Sequence, residues 1–258
     1  RSNQSLLHAG VAADTNVEIT WIDGRSFERG ELDVESLAES GGIIVPGAFG
    51  EGGAEGVIAA LKFVRETGVP FLGLCYGMQM AVVEFARHLA GIERATSEEI
   101  SGDSEYPVVV VQESQKRALE HNRYGASMRL GAYAAVLKKD SRVLDLYEKA
   151  GRIDEDAVRI RQLLDNPEQS FRVGEIMLDR DKVVLERHRH RYEISPRFVE
   201  LLEEEGLVFS GHHRRVDGTR LMEFIELPNH PFFIATQSHP PFKSRMDNPP
   251  PPFSGFAH

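Results

Sequence analysis

The chain has 258 residues, 41% hydrophobic and 27% charged, enough to bury one sizeable core, and no apolar run approaches the length of a bilayer-spanning helix. Its formal net charge of −10 argues against a general nucleic-acid or anionic-membrane surface. A single cysteine rules out an internal disulfide and points to a cytoplasmic setting.

In chain order, Arg1 to Gln4 carry no signal-peptide pattern, and Ser5 to Gly10 reads as the end of a helix. Val17 to Ile22 alternates apolar and polar as a strand would. No apolar strand precedes these segments, so a first strand is expected to be missing. Leu32 to Glu39 reads as a short helix or turn, and Gly42 to Pro46 as a compact buried strand. The glycine-rich stretch Gly47-Ala48-Phe49-Gly50-Glu51-Gly52-Gly53 follows, then a helix from Ala54 to Glu66 capped by Gly68. Such a loop can bring backbone N–H groups close to a ligand, although a merely tight connection is the more frequent explanation.

The next segment, Pro70 to Gln79 (PFLGLCYGMQ), organises the whole. An apolar run bounded by Pro70 reads as a buried parallel strand, and Met78 to Leu89 as a helix beginning just past it. Cys75 falls on the turn between them, with Gly73 and Gly77 at minus and plus two. This is the spacing of the G-x-S-x-G elbow with a thiol for the hydroxyl. A helix N-terminus there is expected to lower the thiol pKa and to stabilise an oxyanion. A buried structural cysteine is the usual fate of an isolated thiol; the two glycines and the strand-to-helix context favour the nucleophile. The succession strand, helix, strand, elbow, helix predicts an α/β fold with a doubly wound, mostly parallel sheet, whose ligands lie at the carboxyl ends of the strands.

Beyond Ala95, Pro107 to Val111 reads as a strand. Residues of about 112–181 are charged and mostly helical in pattern, which predicts an insertion on the sheet's edge. Lys182 to Leu185 returns as a strand and leads into Glu186-Arg187-His188-Arg189-His190-Arg191-Tyr192. That basic run suits either a solvated face or a loop of carboxylate-binding arginines at the end of the sheet. The C-terminal part is β-rich. Leu207 to Ser210 and Leu221 to Leu227 flank a turn at Asp217-Gly218, and Phe232 to Gln237 forms a further strand. His239, just past its end, is placed to act as base for Cys75 if the two strands run in the same direction. Pro249 to Pro252 reads as a stiff surface segment, with Phe253 and Phe256 packing back.

The segments PGAFG (46–50), GLCYGMQ (73–79), MRLG (128–131), ERHRHRY (186–192) and ATQSHP (235–240) together resemble the glutaminase domain of the CTP synthase family, a class I glutamine amidotransferase of flavodoxin-like type. The elbow is shared by all class I amidotransferases; MRLG and ERHRHRY are specific to this family. The resemblance covers nearly the whole chain, 1–258, as one domain apart from the insertion. It implies hydrolysis of L-glutamine through a cysteinyl thioester, with Cys75 as nucleophile, His239 as base and the N–H groups of Tyr76 and Ala48 as oxyanion hole. Gly77, Met78, Gln79, Glu99 and Arg191 would complete the substrate site. It implies no metal and no cofactor in this domain. The ammonia would pass to an N-terminal amidoligase domain, absent from this chain, that uses ATP and Mg to aminate UTP in pyrimidine biosynthesis within a homo-oligomer. No nucleic acid or membrane partner is implied.

Three positions depart from the family pattern. Ala48 stands for a second loop glycine, which the N–H role tolerates if φ is negative. Tyr76 stands for the usual Leu and would reshape the pocket wall. Pro241 stands for the Glu of a Cys-His-Glu triad and supplies neither a carboxylate nor an N–H. Two readings stay open beside each other, an active or attenuated glutaminase and a catalytically silent module that binds glutamine or supports assembly. A Cys-His hydrolase or peptidase of the same fold is a third.

Overall fold

The computed structural model describes residues 1–111, 128–177 and 179–258. Helix α1 (Ser2–Ala12) and the short α2 (Gly24–Glu28) precede a 3-10 turn at Val34–Glu39 and strand β1 (Ile43–Val45). Then come α3 (Ala54–Thr67), β2 (Phe71–Leu74), α4 (Tyr76–His88), β3 (Thr96–Ser97) and β4 (Pro107–Val111). Past 127 the order is β5 (Arg129–Leu137), α5 (Arg142–Lys149), α6 (Arg152–Leu164), β6 (Lys182–His190), β7 (Tyr192–Ile194), α7 (Pro196–Glu204), β8 (Val208–Arg214), β9 (Arg220–Glu226), β10 (Phe233–Thr236) and α8 (Pro251–Ala257).

Seven strands form the main sheet in the order β1-β2-β10-β9-β8-β5-β6. β2 lies between β1 and β10 and is parallel to both, in register Leu74↔Thr236 at its carboxyl end. The pairings from β10 outward through β9, β8, β5 and β6 are antiparallel. The doubly wound α/β expectation therefore holds where the site lies, and the sheet is completed by hairpins. β2 shows why the centre is parallel. All four of its residues are buried, with Phe71 packed among residues of α3 and α4 and Leu72 and Leu74 among residues of α5 and α8. A strand covered on both faces reads as an unbroken apolar run, and each such side chain contributes roughly 1.5–3 kcal/mol on burial. A second sheet, β3-β4-β7, covers α4 from another side, so that Tyr76 through Ala86 are all buried.

Four expectations are corrected. Val17 to Ile22 is not a strand. Val17 and Ile19 are half-buried and Glu18 and Thr20 exposed, so the alternation records a segment lying against the surface, with no strand paired to it among the described residues. The 112–181 stretch does hold α5 and α6, but Arg129–Leu137 is a strand built into the main sheet between β8 and β6. Its small residues Ala132, Ala134 and Ala135 hid the period. The basic run is strand rather than loop: in β6, Glu186, His188 and His190 are buried while Arg187 and Arg189 face out. Pro251 and Pro252 are buried and open α8, where proline's fixed φ and missing N–H suit a first helical turn. The part of the insertion at 112–127 lies outside the described residues.

Candidate functional site

Cys75 occupies the turn between β2 and α4 with φ +52° and ψ −100°, a region that L-residues enter at a cost of about 1–3 kcal/mol and only when their surroundings over-determine it. Here they do. The Cys75 N–H donates to the Thr236 carbonyl at the end of β10 (2.7 Å), and the Cys75 carbonyl accepts from the N–H groups of Met78 (3.1 Å) and Gln79 (3.2 Å). The flanking glycines are required by close approach. A Cβ on Gly77 would lie 2.2 Å from the Val45 carbonyl oxygen, and one on Gly73 would lie 2.7 Å from the Ala235 Cβ.

Because β2 and β10 are adjacent and parallel, Cys75 and His239 emerge at the same end of the sheet, as the sequence leads one to expect. Gly47, first residue of the glycine loop, lies between them. A Cβ there would stand 2.7 Å from His239 Cε1, 3.5 Å from Nδ1 and 3.6 Å from Cys75 Cβ. Gln237 Nε2 donates to Cys75 Sγ at 3.6 Å, and Gln79 Nε2 donates to Gln237 Oε1 (3.2 Å) and to the Tyr192 carbonyl (3.1 Å). Gln79, 2% exposed, thus orients Gln237, which touches the sulfur. The role of Gln237 was not read from the sequence, although it sits inside the ATQSHP segment; only the sheet register aims it at Cys75.

The glycine loop and the second sheet bring the remaining candidates together. The Gly50 N–H donates to Glu99 Oε1 at 3.0 Å, and Arg191, at the β6–β7 junction, acts on the Glu99 carboxylate through its charge. Burial raises the Glu99 pKa, while the Gly50 N–H and Arg191 pull it down. Ala48 is exposed and is not among the non-glycine residues of positive φ, which are Asp14, Cys75 and Asp140; its N–H is available without backbone strain. Tyr76 is buried, which pushes its phenol up to about 12. Met78 is fully buried within the core, so any part it takes in the site is through its backbone.

The expected lowering of the thiol pKa is overturned. Burial pushes the Cys75 thiol up to about 12; the Tyr76 backbone hydrogen bond and Gln237 oppose this, and the charges of Glu193 and Glu99 add to it. A helix N-terminus is worth too little to offset removing a thiolate from water. His239 is lowered, chiefly by burial; a hydrogen bond to the Arg189 backbone carbonyl works against that and the Arg189 charge works with it. The His239 backbone N–H donates to the Arg187 carbonyl at 2.7 Å. Among the described residues no carboxylate pairs with the imidazole, and Nε2 is buried without a hydrogen-bond partner.

Behind the site lies a buried charged layer that the sequence reading did not anticipate. Arg129, from MRLG, pairs with Glu223 and lies 3.5 Å from Glu193; His188 Nε2 is 3.3 Å from Glu223 Oε2 and its Nδ1 is 3.0 Å from His190 Nε2. Burial holds Glu193 up at about 8, with Arg129 opposing and Glu223 adding, and holds His188 and His190 well below the ordinary histidine value. Among the described residues no group of three or more His, Cys, Asp or Glu is placed to hold a metal, and no helix is long and apolar enough to cross a membrane.

The model of the family "Glutamine amidotransferase class-I" matches residues 2–258. The chain is 41% identical over 254 residues to a CTP synthase of Methanopyrus kandleri, covering 98% of the chain and 40% of that protein. It is 42% identical over 258 residues to one of Methanocaldococcus jannaschii, covering 98% and 41%. The chain thus spans about two fifths of the length of these relatives. Among solved structures it resembles the glutaminase domain of a Trypanosoma brucei CTP synthase with bound acivicin, at a TM-score of 0.78 and 28% identity, over 99% of this chain and 84% of the other.

Proposed function

Because the chain belongs to the class I glutamine amidotransferases, we propose that it hydrolyses L-glutamine at Cys75 and serves as the glutaminase part of a CTP synthase. The observation that carries this reading is the convergence of a cysteine in a strained strand-to-helix turn with His239 across a glycine, at the carboxyl ends of two parallel strands. Glu99 would receive the glutamine ammonium, and the positive charge of Arg191 would act on its carboxylate. Cys75 Sγ attacks the side-chain amide carbon as its proton passes to His239. The oxyanion is met by the N–H groups of Tyr76 and Ala48. Collapse expels ammonia, which carries away the proton from His239, and leaves a γ-glutamyl thioester. His239 then takes a proton from water, the hydroxide attacks the thioester, and glutamate leaves with Cys75 again a thiol.

In this proposal the ammonia serves an amidoligase domain that aminates UTP with ATP and Mg, in a longer, homo-oligomeric protein. The relatives' greater length and name support that reading. The silent-module reading is kept for one observation: among the described residues the His239 imidazole has a backbone carbonyl and no carboxylate as its acceptor. An electrophilic glutamine mimic decides for the nucleophile: one equivalent should add by mass spectrometry, none to Cys75→Ala, and labelling elsewhere would defeat the assignment. Ammonia release from glutamine, measured in parallel, separates turnover from binding alone.

A further inference from the structure

Away from Cys75, the face of the sheet covered by α6 carries a cavity of about 600 Å³ between α6, β6 and the segment 242–248. Its volume is that of a small-molecule site. Arg152, Arg159, Arg187, Lys243 and Arg245 line it, with Glu155 the one acid on its wall. In a chain of net charge −10, five cations around one hollow is a local inversion of sign.

Some of that charge is already balanced. Lys243 Nζ lies 2.9 Å from Asp156 Oδ2 and 3.5 Å from Glu186 Oε1, and donates to the Leu185 carbonyl. Arg152 Nη1 meets Glu155 at 2.9 Å and Nη2 donates to the Asn248 carbonyl. Its Nε, on a side chain only 3% exposed, is buried with no hydrogen-bond partner. Arg159 reaches Glu155 only at 3.9 Å. Among the described residues no carboxylate pairs with Arg187 or Arg245. The Arg187 side chain is not needed for the fold, since any outward-facing polar residue would serve at its place on β6. Mutual repulsion among close cations in a partly enclosed space exceeds its value in open water, and a bound anion of two or more charges relieves it. Guanidinium forks match phosphoryl oxygens two at a time, better than an ammonium does. Leu163 and Leu185, with Phe242 at 36% exposed, add apolar wall beside the cations.

We propose that this cavity is a binding site for a phosphorylated small molecule, its phosphoryl group held by Arg187 and Arg245 and its remaining part lying against Leu163 and Phe242. The anion could be supplied as a free polyphosphate or as a nucleotide, and the probes distinguish them. Titration calorimetry of the 258-residue chain with inorganic pyrophosphate, with adenosine 5′-diphosphate and with citrate should show both phosphates binding more tightly than citrate, and weakening as salt is raised. The nucleotide should bind more tightly if the apolar wall is used. Arg187→Glu/Arg245→Glu should lose about tenfold or more in affinity for both phosphates, and Arg187→Lys/Arg245→Lys should restore part of it, keeping the charge and losing the fork. Circular dichroism verifies that each variant is folded. Absence of phosphate binding, equal binding by the charge-reversed variant, or citrate binding as tightly as pyrophosphate would each overturn the proposal.

Discussion

Pro241→Glu tests the largest departure of this site from the chemistry of a triad. Pro241 lies two residues beyond His239, in the 3-10 turn Pro240–Lys243, where the Ser244 N–H donates to its carbonyl at 3.4 Å. An acidic residue in the first turn is favoured by the exposed N–H groups there. The imidazole now has only a neutral backbone carbonyl, that of Arg189, as its hydrogen-bond acceptor, and its unpartnered Nε2 is the nitrogen left to take the Cys75 proton. A hydrogen bond to a charged group is worth about 1–1.5 kcal/mol more than one to a neutral group. If a carboxylate replaces the carbonyl and supplies that difference as the imidazolium forms, the rate rises about 5- to 12-fold. This falls short of the roughly four orders of magnitude lost when the acid of a serine triad is disabled, as expected where a carbonyl already fixes the ring and a thiol is the nucleophile. Ammonia release over a range of glutamine concentrations should therefore show a higher kcat with KM little changed, because the residue at 241 does not touch substrate. Equal turnover in the two proteins would mean that the Arg189 carbonyl orients His239 sufficiently and would refute the account of a weakened base. If both are inactive yet bind glutamine, the silent-module reading gains.

Substitution of Glu99 or Arg191 should raise KM more than it lowers kcat, by about tenfold for loss of a charge-assisted contact; loss confined to kcat would reverse the assigned roles. Glu99→Gln should also speed alkylation of Cys75 by iodoacetamide, since the Glu99 charge helps keep the thiol protonated; unchanged alkylation would place that charge too far away to matter. Gly47→Ala should abolish glutaminase activity while the chain stays folded by circular dichroism, because a methyl 2.7 Å from His239 Cε1 displaces the imidazole; full activity would deny the contact. Stability should fall on both sides of about pH 6.5, the ordinary histidine value. Below it, His188, His190 and His213, the last lowered to about 3, bind protons only on unfolding. Above it, Glu193, held at about 8 when folded, gives up its proton on unfolding, and stability falls until the pH passes that value. Urea midpoints at pH 5, 6.5 and 8 measure this, and a steady rise from 6.5 to 8 would contradict it.

What the sequence made legible is what local chemistry dictates. The Gly73 and Gly77 pair around Cys75, the apolar run 71–74 and the helix behind it specify an elbow from neighbouring residues alone, and the 2.2 Å approach that a Cβ on Gly77 would make to the Val45 carbonyl is the tertiary reason for that glycine. His239 could be placed because its strand is parallel to the elbow strand. The charged run 186–192 could not be read correctly. Whether arginines and histidines alternate across a buried strand depends on what covers each face, and here Glu223, on β9, and Arg129, on β5, accept His188 and His190 into a charged interior. β5 was hidden for a related reason: alanines and a glycine carry little strand signal until neighbouring strands pair with them. Gln237 was in plain view, but its contact with sulfur arises from register alone.

The corrected thiol pKa changes how the site must operate. A helix N-terminus suggested a lowered thiol pKa, yet Cys75 is 4% exposed and two acids, Glu193 and Glu99, bear on it. With the thiol raised to about 12 and the imidazole lowered, thiol and imidazole are both neutral at pH 7, and proton transfer between them in the empty site is uphill. In the proposed mechanism it becomes favourable only when coupled to formation of the carbon–sulfur bond, whose oxyanion the Tyr76 and Ala48 N–H groups would receive. Glutamine contributes to its own activation in this scheme. Its ammonium, paired with Glu99, cancels one of the charges that keep the thiol protonated, and its bulk excludes water from the sulfur. A site built in this way spares its only cysteine from oxidants and adventitious electrophiles while it is empty, because the reactive species in each case is the thiolate.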